Sequence, residues 1–139
     1  QFLNQGTRDE SALFTLPKAI KFVDTLVGGW ERLHQYNSTL SEEAKQYLEQ
    51  RWGTQGQDLV PSNMRPAFLK MIRLPNLQGY DKTDQDANRL LLDLIEHHHL
   101  VCTILCVYHE LYVRISTQIY NRMSDYVQLA DAIDSLRKR

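Results

Sequence analysis

Apolar residues recur at three- and four-residue steps along most of this chain, and that spacing predicts helices. Leu16, Ile20, Val23, Val27, Trp30 and Leu33 line one face of a first helix that begins near Thr15, with Pro17 tolerated in its first turn. Gly28-Gly29 interrupts that face and reads as a kink or a point of close packing, because no phosphate-binding spacing surrounds it. Asn37 to Ser41 reads as a turn, and Thr39-Leu40-Ser41-Glu42 has the spacing of a capping box. A second helix then runs to about Trp52, where Gly53 supplies a stop. Ser62 and Pro66 open a short third helix over Ala67 to Leu74, and Pro75 closes it.

From Tyr80 to Arg139 the chain carries neither Gly nor Pro, so nothing supplies the usual helix stop. Alternating steps of four and three pick out Leu94, His98, Val101, Leu105, Tyr108, Tyr112, Ile115, Ile119, Arg122, Tyr126, Leu129, Ile133 and Leu136. All but His98 and Arg122 are apolar, which is the seam of a coiled coil. Thr83 and the acidic residues after it cap the run at its positive end. One helix from Thr83 to Leu136 would extend ~80 Å at 1.5 Å per residue. It therefore breaks near Asn121 to Asp125 or projects its distal half toward another chain. The predicted fold is all-α: three shorter helices packed on one long C-terminal helix. Residues 1–14 are expected to be a flexible tail, and residues 15–139 a single helical-bundle domain.

Composition narrows the function classes. The 139 residues are 42% hydrophobic and 24% charged with a formal net charge of −1, ordinary values for a globular protein. Such a balance gives no electrostatic case for nucleic acid, despite the basic Arg137-Lys138-Arg139 end. Leu100 to Tyr108 is the longest strongly apolar stretch, far short of a bilayer span. Cys102 and Cys106 share a helix face in this reading and cannot form an unstrained disulfide there. As free thiols they point to a reducing intracellular setting, the cytoplasm first.

Two Glu-x-x-His pairs, Glu31 with His34 and Glu96 with His99, each set a carboxylate and an imidazole on one helix face. Two such pairs supply four of the six ligands of a dimetal carboxylate site, which needs one further inward glutamate from each of two other helices. His98, Cys102, Cys106 and His109 also share a side, but four residues along one helix cannot close around one ion. No nucleophile elbow, phosphate loop or dinucleotide fingerprint occurs, and the residues imply no cofactor.

The expected function is a non-catalytic interaction or oligomerisation module, an adaptor or scaffold rather than an enzyme. Its contacts to a protein partner or a second copy would be Tyr112, Ile119, Tyr126, Leu129, Ile133 and Leu136, with the aromatics as anchors. The alternative is a metal- or ligand-binding helical bundle using Glu31, His34, Glu96 and His99, with a catalytic or sensory role.

Overall fold

The structure is a computed structural model that describes residues 11–64 and 66–137. It overturns the all-α expectation, because a three-stranded antiparallel sheet stands among four helices. The described chain divides into two compact units between Tyr36 and Asn37. The first four positions after residue 10 belong to a helix, and the remainder of the expected tail lies outside the described residues.

The first unit holds α1 (Ser11–Phe22), with Pro17 inside it, and a π-helical turn over Val23–Val27. Gly28 and Gly29 follow with φ of 90° and 96°, a left-handed conformation that costs glycine little. A Cβ on Gly28 would meet Arg32 Cδ at 3.2 Å, a contact the flexible arginine can relieve, so it is the backbone conformation that asks for glycine here. No residue of α1 is buried.

Helix α2 (Trp30–Trp52) begins in the first unit and continues into the second without the turn expected at Asn37 to Ser41. Ser41 turns its side chain to a tertiary partner, and the main-chain carbonyl of Asn37 accepts from another, while the helix runs on. Ser41 Oγ donates to Ala67 O at 2.6 Å, and Thr117 Oγ1 donates to Asn37 O at 2.8 Å. Gly53 ends α2 with φ of 70°.

After a 3-10 turn at Ser62–Met64 comes β1 (Leu69–Arg73), where a third helix was expected. Pro66 and Pro75 bracket only a short apolar run, and a run of that length suits a strand as well as a helix. Its burial alternates, with Lys70 and Ile72 covered, and it pairs antiparallel with the middle strand of the sheet.

The Gly- and Pro-free run is four elements rather than one helix. Helix α3 (Asp84–His98) opens on a capping box in which Thr83 and Asp86 exchange hydrogen bonds, as the acidic cap predicted. It closes at His99, whose φ of 55° lets Leu100 N donate back to Leu94 O at 3.1 Å. Strands β2 (Thr103–Val107) and β3 (Glu110–Ser116) form a hairpin turned by Tyr108 and His109, both with positive φ. Helix α4 (Met123–Arg137) follows a short loop, so the chain does turn beside Asn121.

Strand order is β1-β3-β2, which places β3 in the middle. Its inward row, Leu111, Val113 and Ile115, meets Ile72 and Ile104 from the flanking strands. These join Leu48 of α2, Leu90 and Leu94 of α3, and Leu129 and Ile133 of α4 in one core. The sheet thus has helices behind one face, and its opposite face carries the exposed Leu105, Arg114 and Ser116. Arg51 joins α2 to α4, donating to Asp134 Oδ2 at 2.7 Å and Asp131 Oδ1 at 2.6 Å.

Candidate functional site

Alternation along β3 decides where the chemistry lies. Successive side chains of a strand point to opposite faces, so burying Leu111, Val113 and Ile115 turns Arg114 and Ser116 outward. Arg114 stands directly opposite Thr103 on β2 and Met71 on β1. Its Nη2 donates to Thr103 Oγ1 at 3.2 Å, and it has no ion pair among the described residues.

Arg114 is also one of the residues lining a cleft of about 270 Å³. Leu100, Val101 and Cys102 form one wall, delivered by the reversal that ends α3 at His99. Thr103, Arg114, Ile115 and Ser116 contribute from the hairpin, and Asn121, Asp125, Tyr126 and Leu129 from the approach to α4 and its first turns. That start is fixed locally. Asn121 Oδ1 accepts from Gln118 N at 2.9 Å, and Asp125 Oδ2 accepts from Arg122 N at 3.0 Å. Asp125, a carboxylate on the cleft, also accepts from Asn121 Nδ2 at 3.3 Å, so its oxygen is held by two donors at the positive end of α4. Burial pushes the Cys102 thiol up to about 11, so at neutral pH it is a protonated, weakly nucleophilic wall.

Such a cleft suits a small molecule with an anionic head and an apolar or soft body. An arginine fork matches a carboxylate in two parallel hydrogen bonds. A second pocket of about 190 Å³ contains Lys45 and is edged by Lys70 and β1, but both ammonium groups already have carboxylate partners.

The residues singled out from sequence are dispersed. Glu31 and His34 are exposed on α2 within the first unit, and Glu96 and His99 are exposed at the end of α3 in the second. Among the described residues no three His, Cys, Asp or Glu side chains assemble into a group that could hold a metal. Tyr112 lies on β3, and Tyr126, Leu129, Ile133 and Leu136 lie on α4 within the hydrophobic core. Ile119 sits in the loop between them, 37% exposed. Of this set only Tyr126 and Leu129 reach the cleft. Cys102 and Cys106 are free thiols, though on and beside a strand rather than on a helix. Arg114 and Thr103 escaped notice. The available signal was the single charge inside Leu111-Tyr112-Val113-Arg114-Ile115-Ser116, a period-two pattern rich in strand-forming residues.

No protein-family model matches the chain. It is 32% identical over 142 residues to a protein of Arabidopsis thaliana named "Probable L-cysteine desulfhydrase, chloroplastic", an alignment covering 94% of this chain and 28% of the relative. A second Arabidopsis thaliana protein, named L-cysteine desulfhydrase, is 30% identical over 148 residues, covering 96% of this chain and 32% of that protein. The chain thus spans about three-tenths of the length of the curated relatives it matches. Relatives named as enzymes overturn the expectation of a non-catalytic adaptor, and the sheet removes the coiled coil and the helical bundle on which both functional readings stood.

Proposed function

We propose that this chain forms the part of an L-cysteine desulfhydrase that recognises the amino-acid carboxylate. The names of its relatives give L-cysteine as substrate and sulfide as the group removed. L-Cysteine carries a carboxylate, an ammonium and a thiol, and the first of these needs a fixed cation. One observation carries the reading: Arg114 stands outward on the middle strand, free of ion pairs among the described residues, and is one of the residues that line a cleft together with Leu100, Val101 and Cys102.

In this reading the guanidinium receives the carboxylate as a bidentate pair. The apolar wall beside it takes the β-carbon and sulfur, because burying a soft thiol against Leu and Ile loses little solvation. Holding one end of the substrate on a rigid strand orients the carbon–sulfur bond for the groups that cleave it, which is how positioning residues contribute to rate. Both free thiols and the chloroplastic name of one relative fit a reducing intracellular compartment. Among the described residues no helix is long and apolar enough to cross a membrane.

The test is sulfide release from L-cysteine by the full-length protein carrying Arg114→Met. Losing a bidentate charged pair is expected to raise KM by roughly 100-fold. Arg114→Lys, which keeps the charge and loses the fork, should recover part of the loss. Kinetics unchanged in Arg114→Met would overturn the assignment.

A further inference from the structure

We infer that Thr103 is a positioning residue that aims the Arg114 guanidinium at the substrate carboxylate, an inference resting on the reading of Arg114 given above. Arg114 has two directly opposed neighbours in the sheet, Met71 on β1 and Thr103 on β2. Met71 offers only a thioether, a weak acceptor. Thr103 offers a hydroxyl oxygen, and it accepts from Nη2 at 3.2 Å.

An exposed arginine on a strand samples many rotamers, and ordering it on binding opposes affinity. An acceptor held in place before substrate arrives reduces that penalty. Thr103 suits the task for three reasons. It is β-branched, so its own χ1 is stiff in a strand. It is half-buried within β2 and paired across the ladder, so its oxygen is fixed relative to Arg114. It is also neutral, so it fixes the guanidinium without cancelling its charge. One N–H directed to Thr103 leaves the other donors of the five-donor fork for a carboxylate.

The measurement is the steady-state kinetics of Thr103→Val, Thr103→Ser and Thr103→Asp in the full-length protein, beside Arg114→Met. Thr103→Val keeps shape and strand preference while removing the acceptor. Its KM for L-cysteine is expected to rise about fivefold to tenfold, the size of one hydrogen bond to a charged group, with kcat held within about twofold. Thr103→Ser should restore KM to within about twofold of the starting protein. Thr103→Asp should raise KM beyond Thr103→Val, because an internal carboxylate then competes for the fork.

Two competitive ligands separate aiming from simple structural support. 3-Mercaptopropionate carries a carboxylate and thiol without the amine, and its Ki should rise in parallel with KM in Thr103→Val. Cysteamine carries the amine and thiol without the carboxylate, and its Ki should not move. Equal weakening of both ligands, or a Thr103→Ser as impaired as Thr103→Val, would overturn the role of Thr103. A raised KM in Arg114→Met with an unchanged KM in Thr103→Val would do the same while leaving Arg114 in place. An unchanged KM in Arg114→Met would instead remove the reading on which it rests.

Discussion

Glu49 Oε2 accepts from Lys45 Nζ at 2.8 Å, one turn apart on α2, with both side chains only 8% exposed. Asp58 Oδ1 stands 3.2 Å from the same ammonium. Burial alone would push the lysine down, but Glu49 and Asp58 hold it above its ordinary value. A buried charge whose partner is removed is far more destabilising than the loss of both partners together. Asp58 still faces the ammonium when Glu49 is lost, so Glu49→Gln should lower stability by about 1–2 kcal/mol, and Lys45→Met combined with Glu49→Leu and Asp58→Asn should recover most of it. Urea unfolding of the three proteins decides the point, and an unmoved midpoint in Glu49→Gln would show that the pair is solvated.

The acid limb of the stability curve should report on Glu110. Burial would raise its carboxyl, but Lys82, at 2.8 Å, and Arg73 beside it hold it below the usual glutamate value. The unfolded chain then binds a proton more readily than the folded one, so this contribution is present above pH 4.5 and is lost as pH falls below it. Glu110→Gln should lower stability at pH 7 by about 1 kcal/mol and flatten the decline between pH 5 and roughly 3. Thermal unfolding across that range would show it. A decline of unchanged slope would assign acid lability to other carboxylates.

A third expectation concerns the hairpin. Val107 pairs with Glu110, so Tyr108 and His109 are its two turn residues, with φ of 50° and 58°. Two positive φ values in a two-residue loop match a type I′ turn, which favours Asn-Gly. Side chains with a Cβ are strained there, and Tyr108 is 89% exposed, so it contributes little packing in return. Replacing the pair by Tyr108→Asn and His109→Gly should stabilise the protein by about 1 kcal/mol. A lower melting temperature in the double variant would mean that Tyr108 has a contact worth more than the strain.

That turn also explains how much of the fold could be read from sequence. Punctuation by cap and stop was legible where residues act locally: Thr83 opens α3 and Gly53 ends α2. The hairpin was not legible, because Tyr108 and His109 carry none of the usual turn chemistry. Its strands hid behind a coincidence of spacing. Leu105, Tyr108, Tyr112 and Ile115 sit at helical steps, while Ile104 with Cys106, and Leu111 with Val113 and Ile115, sit at strand steps in the same segment. Enrichment in Val, Ile, Thr and Tyr favours the second pattern, and the pairing with β1 settles it. Asn37 and Ser41 misled in the other direction. Ser41 resembles a turn residue until a distant partner, Ala67 O, takes up its hydroxyl, and Asn37 lies buried within the continuing helix, where Thr117 bonds its main-chain carbonyl. The cleft was invisible for a related reason, since Arg114 and Thr103 meet only once β2 and β3 have paired.

Because Arg114 follows Val113, the central strand carries its own check against mispairing. Sliding β3 by one residue would exchange the two faces, driving the guanidinium among Ile72 and Ile104 and lifting Val113 into water. A buried, unpaired arginine there would outweigh the hydrogen bonds of the slipped ladder. The charge proposed for substrate recognition thus also acts as a gauge of register, and a chain that has zipped up wrongly is penalised before it can present a site at all.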